Sequence, residues 1–237
     1  MGNDMNRLIH QRVRESFIMP RKPIKPHQQD KVPTLLQFSA EHESANLEYA
    51  AIIGENEYEA YLKNDSNTHG HQVWFNFRVH NPSLETVTAR FHICNIKRDL
   101  KLLPDGGAVF SKAVGVGKEE EKWRPENNGL QFRANPSPKF ASTRVFRLSF
   151  DLTIEGGEER EISLLPSYTY SQLLADIEEW KECPSVKVEL LTYSLLGLAL
   201  PLITVSNPEP AAHKNVILIN YRVHPERRTH PTCAGDS

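Results

Sequence analysis

Two stretches of the chain alternate strictly between apolar and polar side chains. In the first, Val73, Phe75, Phe77 and Val79 interleave with Trp74, Asn76, Arg78 and His80; in the second, Phe146, Leu148, Phe150, Leu152 and Ile154 interleave with Arg147, Ser149, Asp151 and Thr153. Successive side chains of a strand point to opposite faces, so a period of two over this length specifies a half-buried β-strand. Shorter apolar runs predict further strands at 34–38, 47–53, 57–62, 86–95, 130–134 and 161–165. Gly156-Gly157 reads as a hairpin turn between the last two long strands. Residues 64–71 are dense in turn formers, and the Gly-rich, acidic stretch 97–128 reads as a solvated insertion. Many alternating strands with no helix among them predict an antiparallel β-sandwich over residues 31–167. Before it, residues 1–30 are basic, Pro-broken and poor in apolar residues. They predict a disordered arm, suited to electrostatic contact with an acidic partner.

The period changes after residue 167. Thr169 and Gln172 form a capping box, and Leu173, Leu174, Ile177 and Trp180 make one apolar stripe, so a helix is expected up to Cys183-Pro184. Three strands should follow, at 186–193, 201–205 and 216–223, the last apolar on both faces as in the interior of an α/β sheet. The fold class is therefore mainly β, with a sandwich followed by a fragment (one helix, three strands) of an α/β domain over residues 168–226.

Composition narrows the function classes. With 28 Lys and Arg against 30 Asp and Glu, the net charge of -2 argues against nucleic acid as a partner. Three cysteines without a Cys-x-x-Cys pair argue for reduced thiols rather than a disulfide scaffold. No apolar run reaches membrane-span length and no signal peptide is visible, which together predict a cytoplasmic protein and no membrane partner.

Among chemically suggestive residues, His69, His71, His80 and His92 have no Cys or acidic partner at metal-ligand spacing and read as loop or surface histidines. Gly106-Gly107 and Gly115-Val116-Gly117 do not open a helix after a strand and are no phosphate loop. Trp74, Phe75, Phe77 and Phe91 read as core rather than as a sugar-binding face. His224 and Glu226 differ because of their place: they follow an apolar strand, where ligand sites of open α/β sheets gather. Imidazole and carboxylate suit zinc, although two donors neither close nor activate a zinc site.

Three blocks then carry a family resemblance: Ser44-Ala45-Asn46-Leu47, Asn67 to Val79 with its Trp-Phe-Asn-Phe-Arg-Val core, and Leu165-Pro166-Ser167-Tyr168-Thr169-Tyr170-Ser171-Gln172-Leu173. They resemble the N-terminal region of the cytosolic carboxypeptidases, zinc carboxypeptidases of the M14 class. Ser194-Leu195-Leu196-Gly197, Leu202-Ile203-Thr204-Val205 and Arg222-Val223-His224-Pro225 look like the opening of their catalytic domain. The resemblance implies a β-sandwich before an α/β carboxypeptidase domain, and removal of C-terminal or branched glutamates from acidic protein tails such as tubulin's. It also implies zinc held by the His and Glu of a His-Pro-Gly-Glu turn and by a later His.

Here His224-Pro225-Glu226-Arg227 stands in place of that turn. Either Glu226 is a displaced zinc ligand, or Arg227 occupies the ligand position and cannot serve, because a guanidinium has no acceptor lone pair. Residues 227–237 resemble nothing in the family. The expectation is an N-terminal portion of a carboxypeptidase-like protein without peptidase activity of its own; the alternative is a non-catalytic protein-binding β-sandwich module. A strand at 216–223 that is apolar on both faces would be prone to association when its neighbours are missing. Deleting residues 186–237 is therefore expected to raise soluble yield, and an unchanged or lower yield would count against this reading.

Overall fold

A computed structural model describes residues 36–64, 72–97, 107–115, 122–138, 145–194, 196–207 and 215–219. The protein divides into two compact units, with the boundary between Ser167 and Tyr168.

Among the described residues, the first unit has ten strands: β1 (Gln37–Ser39), β2 (Tyr49–Gly54), β3 (Glu57–Tyr61), β4 (Asn76–His80), β5 (Val87–Ile96), β6 (Val109–Val114), β7 (Arg124–Glu126), β8 (Gln131–Ala134), β9 (Phe146–Ile154) and β10 (Glu159–Ser163). They form two five-stranded sheets, ordered β1-β4-β10-β6-β7 and β2-β3-β5-β9-β8. Side chains from both sheets build one apolar core, including Phe77, Val79 and Ile162 from the first and Tyr58, Phe91, Phe150 and Ile154 from the second. Phe38 of β1 sits 5.3 Å from the Tyr58 ring and 6.1 Å from Phe91, and Phe91 stacks 5.5 Å from Phe150. These tilted, edge-on and stacked contacts add to the stabilisation from burial alone. The alternation in β4 and β9 thus does what period two requires, with one face of each strand turned into the core.

Three expectations for this unit need correction. Gly156-Gly157 is not a hairpin turn. β9 pairs with β5 and β8, whereas β10 pairs with β4 and β6, so the chain passes from one sheet to the other at these glycines. The strands are not all antiparallel either: β3 and β5 pair in parallel, Tyr58 opposite Phe91. The chain leaves the second sheet after β3, runs through β4 in the first and returns as β5. Two reversals bring it back in its original direction. The stretch 97–128 is also more than an insertion, for it carries β6 and β7. In β6 the inward positions are Val109, Ser111 and Ala113, two of them too small or polar to show as an apolar stripe.

The loops that connect the sheets are held by Asn81, which is fully buried. Its Nδ2 donates to the carbonyls of Glu85 (2.8 Å), Ile154 (3.1 Å) and Glu155 (3.1 Å), and its Oδ1 accepts from Ser83 N (3.1 Å) and Ser83 Oγ (2.7 Å). The backbone adds Asn81 N to Glu158 O and Gly157 N to Asn81 O, both 2.9 Å. One side chain therefore ties the β4–β5 crossover to the β9–β10 crossover. The loops approach so closely that a Cβ on Gly156 would lie 2.3 Å from the Leu84 carbonyl oxygen, which only glycine avoids.

In the second unit, α1 (Tyr170–Trp180) starts as expected. Thr169 Oγ1 accepts from Gln172 N at 3.1 Å, and Gln172 Oε1 accepts from Thr169 N at 2.7 Å. Ile177 is the buried residue of its stripe. β11 (Val186–Tyr193) and β12 (Ala199–Val205) pair antiparallel. The third expected strand, at 216–223, is not found in its described part: residues 215–219 join no ladder, and Val216, Ile217, Leu218 and Ile219 are exposed. An apolar strand pattern needs a neighbouring backbone to bond to, and no described strand pairs there.

Replacing Asn81 by Ala would leave buried carbonyls unbonded. It should lower unfolding free energy by about 2–3 kcal/mol in urea titrations. An unchanged midpoint and slope would contradict the role assigned to this side chain.

Candidate functional site

His224 and Glu226, the expected zinc ligands, lie outside the described residues, as do His69 and His71. Of the other histidines singled out, His80 ends β4 opposite Gln37 and Glu159. His92 lies on β5 opposite Ser149. Among the described residues, no three His, Cys, Asp or Glu side chains converge in a way that could hold a metal ion. The described part of the chain does not by itself fit a zinc centre.

Two polar clusters were not legible in the sequence. The first centres on Glu161 of β10, which is buried at 3% exposure. Antiparallel pairing places it between Arg78 of β4 and Lys112 of β6. Its Oε1 accepts from Asn76 Nδ2 at 2.9 Å and Ser167 Oγ at 3.3 Å, with His42 Nε2 at 3.6 Å; its Oε2 lies 3.4 Å from Lys112 Nζ. His42 Nε2 also bonds Asn76 Oδ1 at 2.8 Å, and Lys112 Nζ stands 4.9 Å from the Trp123 ring centre. Burial alone would push the Glu161 carboxyl up. Hydrogen bonds from His42 and Asn76, with the charges of His42 and Lys112, outweigh it and hold the group at about 2. A carboxylate that ionises so far below neutrality is a poor general acid or base. It acts as a fixed anion to which four segments are attached.

Two of those segments belong to the blocks that carry the family resemblance, and the third block joins them next to it. Asn46 N donates to Asn76 O (2.8 Å), Asn46 Nδ2 to Trp74 O (2.7 Å), and Trp74 Nε1 to Ser44 O (2.8 Å). Asn76 and Ser167 then meet at Glu161. The separate motifs are thus hydrogen-bonded to one another, an organisation that spacing along the chain does not reveal.

The second cluster has the composition of a catalytic triad in the wrong setting. Ser149 Oγ is 2.7 Å from His92 Nδ1, and His92 Nε2 is 2.7 Å from Glu57 Oε1. A nucleophilic serine has to be accessible while its histidine is oriented by a sheltered carboxylate. Here Ser149 is buried at 2% and the Glu57 side chain is 42% exposed. Burial lowers the His92 pKa, Glu57 partly opposes this, and Arg147 and Arg90 add to the lowering. The array links β3, β5 and β9 across one sheet face. Nearby Cys94 is buried and its thiol is pushed up to about 12, chiefly by desolvation, so it is no nucleophile at neutral pH.

No family model matches the chain. Among curated proteins it is 30% identical over 207 residues to cytosolic carboxypeptidase 2 of Xenopus tropicalis, covering 80% of this chain and 20% of that protein. It is 28% identical over 247 residues to human cytosolic carboxypeptidase 6, covering 99% of this chain and 46% of that one. The chain thus spans from about a fifth to under half of the length of these relatives. Among solved structures, a metallo-carboxypeptidase from Burkholderia cenocepacia superposes with a TM-score of 0.56 at 14% identity, over 76% of this chain and 42% of that one. At that identity the likeness is one of fold. Among the described residues no helix is long and apolar enough to cross a membrane.

The depressed Glu161 pKa fixes the sign of a pH effect. Its stabilisation is complete above the unfolded carboxyl pKa and is lost as pH falls from about 4.5 towards 2. Glu161→Gln should cost on the order of 3 kcal/mol at pH 7 and flatten the loss of stability across that acid window. Urea titrations at several pH values check this; a variant with the parent's acid profile would contradict it.

Proposed function

We propose that this chain is the N-terminal β-sandwich and the start of the α/β catalytic domain of a cytosolic zinc carboxypeptidase, whose whole protein removes C-terminal or branched glutamates from acidic tails such as those of tubulin. The carrying observation is the similarity to cytosolic carboxypeptidases over about four fifths of the chain. A fold match to a metallo-carboxypeptidase supports it.

In this reading His224 is the first zinc ligand, and Glu226 is its displaced partner. Bound zinc would polarise the scissile carbonyl and activate water. One imidazole and one carboxylate do not complete such a centre, and the described residues hold no group of three or more His, Cys, Asp and Glu that could bind a metal ion. In this proposal the 237 residues alone are non-catalytic, and the β domain serves as scaffold.

Two assays separate the parts of the proposal. Incubated with zinc and a peptide ending in several glutamates, the purified chain should release no glutamate. Release abolished by a chelator would contradict the inactivity. A chimera joining residues 31–223 to the matching downstream part of human cytosolic carboxypeptidase 6 should release glutamate in a chelator-sensitive way. A chimera folded by circular dichroism but inactive would contradict the family-level function.

A further inference from the structure

β11 and β12 form a two-stranded sheet, and among the described residues neither outer edge is paired. An isolated pair of strands is marginal in water, and a bare edge is a template for another strand. The two edges are not equivalent. Ser206 N donates to Ser185 O at 2.9 Å, which makes that pair hydrogen-bonded; the register then makes Lys187–Thr204 and Glu189–Leu202 hydrogen-bonded too. Residues between them direct their backbone groups outward. On β12 one of these is Pro201, opposite Leu190, so the β12 edge lacks a donor where a new strand would bond. On β11 they are Val186, Val188 and Leu190, each with an N–H and a C=O to offer.

We infer that the β11 edge is a self-association seam, where two copies of the chain pair antiparallel about a two-fold axis at Val188. That register makes Val188 with the partner's Val188, and Val186 with the partner's Leu190, hydrogen-bonded pairs, as their outward backbone groups require. It also places Lys187 opposite the partner's Glu189, and Glu189 opposite the partner's Lys187. Those are non-hydrogen-bonded positions, at which cross-strand side chains come closest. Lys187 and Glu189 are largely exposed, and within one chain their charged groups are 2.9 Å apart. The strand's charge pattern is thus self-complementary when reversed. The resulting four-stranded sheet would carry a continuous apolar face of Val186, Val188, Leu190, Pro201, Ile203 and Val205 from each copy. The inference does not depend on peptidase activity.

Sedimentation equilibrium of the full chain tests it. A reversible monomer–dimer equilibrium is expected. K187E and E189K should each weaken it about tenfold, since both cross-strand pairs become repulsive. The double swap K187E/E189K should restore it. Val188→Pro removes the donor at the axis and leaves the bonds to β12 intact, and should give monomer with an unchanged circular dichroism spectrum. A chain that stays monomeric at all concentrations overturns the inference. So does association that K187E leaves unchanged, or that the double swap fails to restore.

Discussion

Asn81 is the point on which the β domain depends. Each time the chain passes between the sheets it must leave backbone groups without ladder partners, and such groups are costly when buried. The β4–β5 and β9–β10 passages meet this problem side by side. The Asn81 amide bonds carbonyls of both passages, and its oxygen orders the Ser83 turn. The joined crossovers lie at one end of two central pairs, β4 beside β10 and β5 beside β9. The aromatic core of Phe38, Tyr58, Phe91 and Phe150 packs between the sheets so arranged.

The buried polar clusters extend the same principle. Glu161 draws together β4, β6, β10 and the chain just before the second unit, and the Glu57–His92–Ser149 array crosses β3, β5 and β9. Such networks favour one arrangement and penalise alternatives, although His42 Nδ1 of the first is buried without a hydrogen-bond partner. Neither has the accessibility or the titration behaviour that catalysis needs.

Much of the β architecture was legible because period two survives in β4, β5 and β9, where one face is buried against large apolar residues. The capping box was legible for a similar reason, as Thr169 and Gln172 interact within four residues. What escaped was non-local. Nothing in Gly156-Gly157 distinguishes a hairpin from a passage between sheets, because both need a tight turn. β6 was hidden by Ser111, an inward polar residue made tolerable by Arg160 Nη2 at 2.7 Å. Glu161 alternates like any surface carboxylate, and only its partners from distant segments make it a buried anion. The strand expected at 216–223 rests on a run that is apolar on both faces, and among the described residues its first half has no ladder to join.

We propose that the β domain is scaffold and that the 237 residues alone do not complete a zinc centre. The zinc content of the purified, zinc-equilibrated and dialysed chain tests this most directly. The expected result is far less than one zinc per chain, unaltered by His224→Ala. One tightly held zinc per chain, lost on His224→Ala, would contradict it.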